Sequence, residues 1–127
     1  MLTSFNNKKI SAVYSVLPTN EVDFMDEAGN YAFSEIQMKK LKKVMGFGTR
    51  RVAKEGETVG DYAIYGIQQM LKDGIFKENE IGAIIVTTTS PDHFIPPISN
   101  IVQGKFDFDE DVVCIDISQG CCGYVVG

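Results

Sequence analysis

The sequence predicts an α/β domain built on a mostly parallel β-sheet covered by helices, and three observations carry that expectation. Residues 83–89, Ala-Ile-Ile-Val-Thr-Thr-Thr, form an unbroken, largely β-branched run of the kind found where both faces of a strand are buried. A second such run, Val112-Val113-Cys114-Ile115-Asp116, follows a stretch, residues 98–106, that is read as a helix after Pro96-Pro97. Strand, helix and strand in that order make a right-handed parallel crossover the expected connection.

The remaining elements follow in chain order. Residues 9–17, Lys-Ile-Ser-Ala-Val-Tyr-Ser-Val-Leu, alternate apolar with polar positions and end at Pro18-Thr19-Asn20, which predicts a first strand and a loop. From Val22 to Phe33 the periodicity is weak, and only a loop or short helix is expected. Ser34-Glu35-Ile36-Gln37 has the pattern of a capping box, in which the first side chain and the fourth satisfy each other's backbone amides. A helix from there to Gly46 places Ile36, Leu41, Val44 and Met45 on an apolar face, with Lys39, Lys40, Lys42 and Lys43 opposite. The lysines serve either as a solvated surface or as a contact for an acidic ligand or carrier. Thr58-Val59-Gly60-Asp61 is a second capping box, and Tyr62, Ile64, Ile67, Met70 and Leu71 continue an amphipathic helix that Gly74 can close in a left-handed conformation.

Composition narrows the function. A chain of 127 residues with 44% hydrophobic content can bury one compact core. The formal charge of -5 disfavours nucleic-acid partners, which require clustered cations. No apolar run approaches the roughly 20 residues that span a bilayer. The opening Met1-Leu2-Thr3-Ser4-Phe5-Asn6-Asn7-Lys8-Lys9 is polar where a signal peptide needs its apolar stretch, so neither secretion nor a membrane span is expected. The three cysteines, at 114, 121 and 122, are odd in number and clustered, which fits reduced thiols in a cytoplasmic setting better than a disulfide framework. Gly46-Phe47-Gly48-Thr49-Arg50-Arg51 lacks the third glycine and the lysine of a phosphate loop, leaving Arg50 and Arg51 to structural ion pairs or to a ligand. His93, the single histidine, is read neither as a base nor as a metal ligand, and no metal is expected.

Chemistry concentrates at the end of the second run. The segment Ile117-Ser118-Gln119-Gly120-Cys121-Cys122-Gly123-Tyr124 carries the chain from the strand toward a new helix. A thiol at such a junction faces free backbone N–H groups and the positive end of the helix dipole, both of which favour thiolate over thiol. Gly120 and Gly123 remove side-chain bulk beside it, allowing a tight turn and close approach by another segment or a substrate. On the residues alone, Cys121 is either a nucleophile or an inert buried thiol.

The stretch Asp116-Ile117-Ser118-Gln119-Gly120-Cys121-Cys122-Gly123-Tyr124 resembles the active-site segment of the 3-oxoacyl-(acyl carrier protein) synthase III family of condensing enzymes. The resemblance extends through Thr87-Thr88-Thr89-Ser90, Pro96, Arg50-Arg51 and Glu57-Thr58-Val59, covering most of residues 9–127. It implies the N-terminal half of a thiolase-like layered fold, truncated just after the active-site cysteine, with Cys121 taking an acyl group from a thioester. Cys122 stands where the family usually has alanine, and Cys114 is read as core. Ile95 matches a position that reaches across a homodimer into the partner's acyl pocket, and Thr89, Gly120 and Gly123 join it as substrate-binding candidates. The implied substrates are acyl thioesters of coenzyme A or acyl carrier protein, with no metal or redox cofactor.

Two departures qualify the resemblance. Lys40 and Val44 occupy positions where well-known members bind coenzyme A through tryptophan and arginine, which favours a carrier-protein donor or a different nucleotide placement. The histidine and asparagine that complete the family's site come from a second half that these 127 residues do not include, so the piece alone is expected to be inactive. Two further readings are a cysteine acyltransferase or thioesterase with the same turn, and a non-catalytic subunit supporting a condensing partner.

Overall fold

The structure is a computed structural model describing residues 6–127, so the polar opening Met1–Phe5 lies outside the described residues. The described chain divides into two compact units, Leu17–Thr58, and Val59–Gly127 together with residues 6–16.

In the first unit, β1 (Asn20–Asp23) pairs antiparallel with β2 (Thr49–Val52), and α1 (Glu35–Met45) lies between them in sequence. The pairing sets Glu21 opposite Arg51, and the two form an ion pair. Arg51 also donates to the Thr19 carbonyl, while Arg50 forms an ion pair with Glu27 that holds its guanidinium more firmly protonated. Both arginines therefore have structural roles. The expectation of a loop or short helix between Val22 and Phe33 is corrected only at its start, where Val22 and Asp23 belong to β1; further on, a single 3-10 turn covers Ala28–Asn30. Four-residue strands reading Asn-Glu-Val-Asp and Thr-Arg-Arg-Val carry no apolar alternation, so pairing rather than pattern defines them.

The capping box at Ser34 forms as expected. The Gln37 amide donates to Ser34 Oγ at 3.3 Å, and the Ser34 amide donates to Gln37 Oε1 at 2.8 Å. Gly46, at φ +70°, ends the helix in the left-handed region. The apolar face differs from expectation, because Met38 is the fully buried residue of α1, whereas Ile36, Leu41, Val44 and Met45 are exposed. Phe24 is buried in this unit, its ring 5.0 Å from that of Phe47 and 6.1 Å from that of Tyr31.

Lys42 Nζ sits 2.9 Å from both carboxylate oxygens of Asp23, and the Met25 amide donates to the same carboxylate at 2.8 Å. Together they hold the Asp23 carboxyl below the usual carboxylate range. A depressed folded-state value contributes stability that is present above the unfolded-state value and is lost as the pH falls through the folded one. In the Lys42→Met variant the Asp23 carboxyl is expected to titrate at higher pH than in the wild type, as read by carboxyl NMR. An unchanged titration would remove the assigned role of Lys42.

The second unit carries α2 (Val59–Lys72), β3 (Ala83–Thr87), α3 (Ile98–Phe106), β4 (Val113–Ile117) and the four-residue α4 (Gly123–Val126). β3 and β4 are parallel, with Ala83 opposite Val113 and Thr87 opposite Ile117. Gly74, at φ +67°, follows α2 in the left-handed conformation its position predicts. The first two amides of α2, Val59 and Gly60, donate to the Asp92 carboxylate at 3.1 and 2.9 Å. That acceptor comes from the loop after β3, and sequence spacing does not reveal it.

Ile98, Val102, Phe108 and Val112 make the buried centre, with Ile64 and Ile67 of α2 and Ile84, Val86 and Cys114 of the strands packed on it. Burying a side chain of this size contributes about 1.5–3 kcal/mol. Helices thus cover one face of the parallel pair. The expectation that both faces are covered is corrected for the described residues, because Ala83, Ile85, Val113 and Ile115 are exposed on the other face.

The strand expected over residues 9–17 does not form. Ile10, Val13 and Leu17 are exposed, and the segment pairs with no strand among the described residues. Val16 approaches α2, where a Cβ added at Gly66 would lie 3.1 Å from Val16 Cγ2.

Candidate active site

The end of β4 delivers Cys121 to an exposed turn. Asp116, the fourth residue of β4, accepts from the Ile98 amide at 2.7 Å and the Ser99 amide at 3.0 Å, tying the strand to the start of α3. These charge-assisted bonds serve two of the amides that a helix N-terminus leaves without internal partners. The Thr88 amide then donates to the Ile117 carbonyl, keeping the end of β3 beside the chain that leads into the turn. The turn closes where the Gly123 amide meets the Gly120 carbonyl at 2.9 Å.

Gly123 is buried against β3. A Cβ built there would stand 2.3 Å from Thr87 Cγ2, closer than two carbons can approach, so this position admits only glycine while Thr87 holds its place. At Gly120 the requirement is looser, since a Cβ would be 3.9 Å from Thr89 Cγ2, an ordinary contact.

Cys121 opens onto a depression whose walls are Ile85, Thr87, Thr88 and Thr89 from the end of β3, Gln119 and Gly120 from the turn, and Tyr124 and Gly127 from α4 onward. Of the residues singled out from sequence, Cys121, Thr89 and Gly120 share this depression, whereas Gly123 does not line it and packs on Thr87 beside it. Ile95 does not line it. It sits in the loop between β3 and α3, 87% exposed, beside Phe94, which is 96% exposed. Thr87 and Ile85 were not singled out from sequence, although alternation along the strand places them on the same face as Thr89.

The three thiols differ in setting, and all are free. Cys114 Sγ is 3.4 Å from Gln103 Oε1 and 3.6 Å from the Ser99 carbonyl, and burial, with a smaller contribution from nearby Asp116, pushes its thiol above the ordinary cysteine range. It is a packing residue, as expected. Cys122 Sγ lies 3.5 Å from Gln119 Oε1, while Cys121 is exposed to the depression. Among the described residues no cluster of His, Cys, Asp and Glu is arranged to hold a metal ion, and no helix is long and apolar enough to cross a membrane.

The site is thus a strand, a tight glycine turn bearing a thiol and the start of a helix, beside a parallel partner strand. No protein-family model matches the chain. Curated relatives do: a beta-ketoacyl-[acyl-carrier-protein] synthase III of Clostridium beijerinckii is 32% identical over 124 residues, covering 96% of this chain and 36% of the relative. One from Neisseria gonorrhoeae is 31% identical over 117 residues, covering 92% of this chain and 36% of its own length. The crystal structure of 3-oxoacyl-[acyl-carrier-protein] synthase III from Aquifex aeolicus superposes with a TM-score of 0.71 at 26% identity, covering 87% of this chain and 34% of that one. Over nearly its whole length the chain is synthase III-like, and it spans about a third of the length of the curated relatives it matches.

Proposed function

We propose that these residues are the part of a decarboxylative condensing enzyme that accepts the acyl group, with Cys121 as the nucleophile. The observation carrying this reading is the exposed Cys121 thiol on a glycine-bounded turn, open to a depression between two strand ends, in a synthase III-like sequence.

In the first half-reaction the Cys121 thiolate attacks the carbonyl carbon of an acyl thioester, forming a new thioester at Sγ and expelling the donor's thiolate. Backbone amides around the turn are suited to hold the negative oxygen of the tetrahedral intermediate. In the second half-reaction a malonyl thioester loses carbon dioxide, and the electron pair of the broken carbon–carbon bond becomes an enolate. Its carbon attacks the acyl carbonyl on Cys121, releasing a 3-oxoacyl thioester and regenerating the thiolate. A histidine and an asparagine from outside residues 1–127 would assist the decarboxylation. The chemistry runs on thioesters of coenzyme A or acyl carrier protein without redox change.

The reading extends to a cytoplasmic enzyme acting as a homodimer, in which Ile95, exposed on its loop, reaches the acyl pocket of the second subunit. Thr89 and Gly120 border the path of the acyl chain beside Cys121.

The full-length protein, incubated with an acyl thioester and a malonyl thioester, is expected to release carbon dioxide and yield a 3-oxoacyl product detectable by mass spectrometry. Acyl transfer to water or an amine without carbon–carbon bond formation would replace this reading with an acyltransferase or thioesterase.

A further inference from the structure

The acyl-transfer chemistry uses one of two adjacent thiols and leaves the other without a role. Cys121 and Cys122 follow each other on the turn between β4 and α4, and both are free and exposed. Cys121 opens onto the depression, whereas among the described residues Cys122 Sγ makes a weak S–H contact to Gln119 Oε1 at 3.5 Å. Cys114, the third thiol, packs against the buried centre. Alanine usually stands at the position of Cys122 in the family that the sequence resembles, so neither the turn nor acyl transfer needs a second sulfur.

A thiolate that an acyl thioester can reach is also open to hydrogen peroxide, a much smaller electrophile, and its oxidation gives a sulfenic acid. The partner for that sulfenic acid is set by the chain itself. Cys122 is one peptide bond away, whatever else packs around the turn, so its sulfur meets Cys121 at a high effective concentration. Joining the two requires the turn to open at the bond between the Gly123 amide and the Gly120 carbonyl. Gly120 leaves room for that movement, since a Cβ added there would meet nothing closer than 3.9 Å. Neighbouring Cα atoms are about 3.8 Å apart, below the span of about 4.4 Å at which disulfides usually begin, so the bond is strained and readily reduced. Strained disulfides are the labile, regulatory kind.

We propose that Cys121 and Cys122 form a site of reversible oxidation, in which peroxide converts the nucleophile to a sulfenic acid and Cys122 resolves it as a disulfide. Cys121 Sγ attacks one peroxide oxygen, the oxygen–oxygen bond breaks and hydroxide leaves. Cys122 Sγ then attacks Cys121 Sγ, the sulfur–oxygen bond breaks, and the departing hydroxide carries off the Cys122 proton as water. The sulfurs together lose two electrons and the peroxide gains them. The disulfide halts acyl transfer and spares Cys121 the further oxidation to sulfinic acid, which a dithiol does not reverse. The proposal rests on the reading above only in requiring a reachable Cys121 thiolate, and not on carbon–carbon bond formation.

The test treats the full-length protein, and its Cys122→Ala and Cys122→Ser variants, with hydrogen peroxide, blocks the remaining thiols with iodoacetamide and maps the cysteines by fragment-ion mass spectrometry. In the wild type the peptide holding both residues is expected to lack two hydrogen atoms and to escape alkylation, and dithiothreitol is expected to restore both thiols. In both variants Cys121 is expected to reach sulfinic acid at least about tenfold faster, with no recovery on reduction. Sulfinic acid at Cys121 forming equally fast in all three proteins, or Cys121 joined to any sulfur other than Cys122, would overturn the proposal. The readout is mass with no acyl substrate present, so it is independent of whether a 3-oxoacyl product forms. A Cys121 that neither peroxide nor an acyl thioester modifies would remove the nucleophile that both readings share.

Discussion

Replacing Cys121 by Ala is expected to lower condensation by the full-length protein on the order of 10³-fold or more, because removing the atom that carries the acyl group removes the covalent route altogether. Cys122→Ala, one residue on, is expected to retain activity, since Cys122 reaches Gln119 while Cys121 lines the depression. The pair of variants separates two adjacent thiols that reagents alone can confuse. Cys114 is less of a competitor, because its burial and raised thiol keep it protonated where an exposed cysteine begins to ionise. Steady-state rates of 3-oxoacyl product formation decide the matter. Equal losses in Cys121→Ala and Cys122→Ala would mean that the turn as a whole, and not one sulfur, supports the reaction.

Gly123→Ala is the substitution with the largest expected structural effect near the site. The new methyl group would enter the space of Thr87 Cγ2, so α4 and the end of β3 must separate or Thr87 must leave its place. Overpacking of this kind typically costs about 1–3 kcal/mol, and here the displaced segment is the one bearing Cys121. The partner identifies the cause. Thr87→Ser removes Cγ2 and keeps the hydroxyl, leaving Gln119 Cβ at 3.4 Å and Thr87 Cβ at 3.7 Å as the nearest neighbours of the added methyl group. The double variant G123A/T87S is therefore expected to recover most of the stability lost by G123A, a coupling visible in denaturant midpoints. Additive effects in that cycle, or a G123A variant within about 0.5 kcal/mol of wild type, would contradict the packing described here.

The parts of the molecule legible in the sequence are those governed by local chemistry. Ser34 and Gln37 fix the start of α1 through bonds spanning three residues, and Gly46 and Gly74 end their helices through their own backbone freedom. The β-branched runs ending at Thr87 and Ile117 were recognisable because their composition is strand-forming whatever they pair with. What escaped depends on partners far along the chain. β1 and β2 are polar, and Glu21 meets Arg51 only through pairing. The alternating segment over residues 9–17 has strand composition, yet a strand needs a neighbour and it has none among the described residues. The helical pattern points inward with Ile36, Leu41, Val44 and Met45, whereas the structure buries Met38, because that choice belongs to the surface the helix meets.

The same division holds at the candidate site. Cys121 and its flanking glycines stand out within a stretch of a few residues. The reason Gly123 must be glycine is Thr87, which lies 36 positions earlier and becomes its neighbour only when β3 and β4 align. Asp116 belongs to a strand by its sequence context, and its carboxylate accepts from the first two amides of α3, which the spacing does not reveal. Ile95 remains apart from the depression, exposed on its loop.

The most direct test is to expose the full-length protein to an acyl thioester with no malonyl partner, then locate the added mass by intact-protein and fragment-ion mass spectrometry. One acyl group per chain, bound as a hydroxylamine-labile thioester at Cys121 and absent from the Cys121→Ala variant, is the expected result. An acyl group on Cys122 or elsewhere, or a folded protein that takes none, would contradict the assignment of Cys121 as the acyl acceptor.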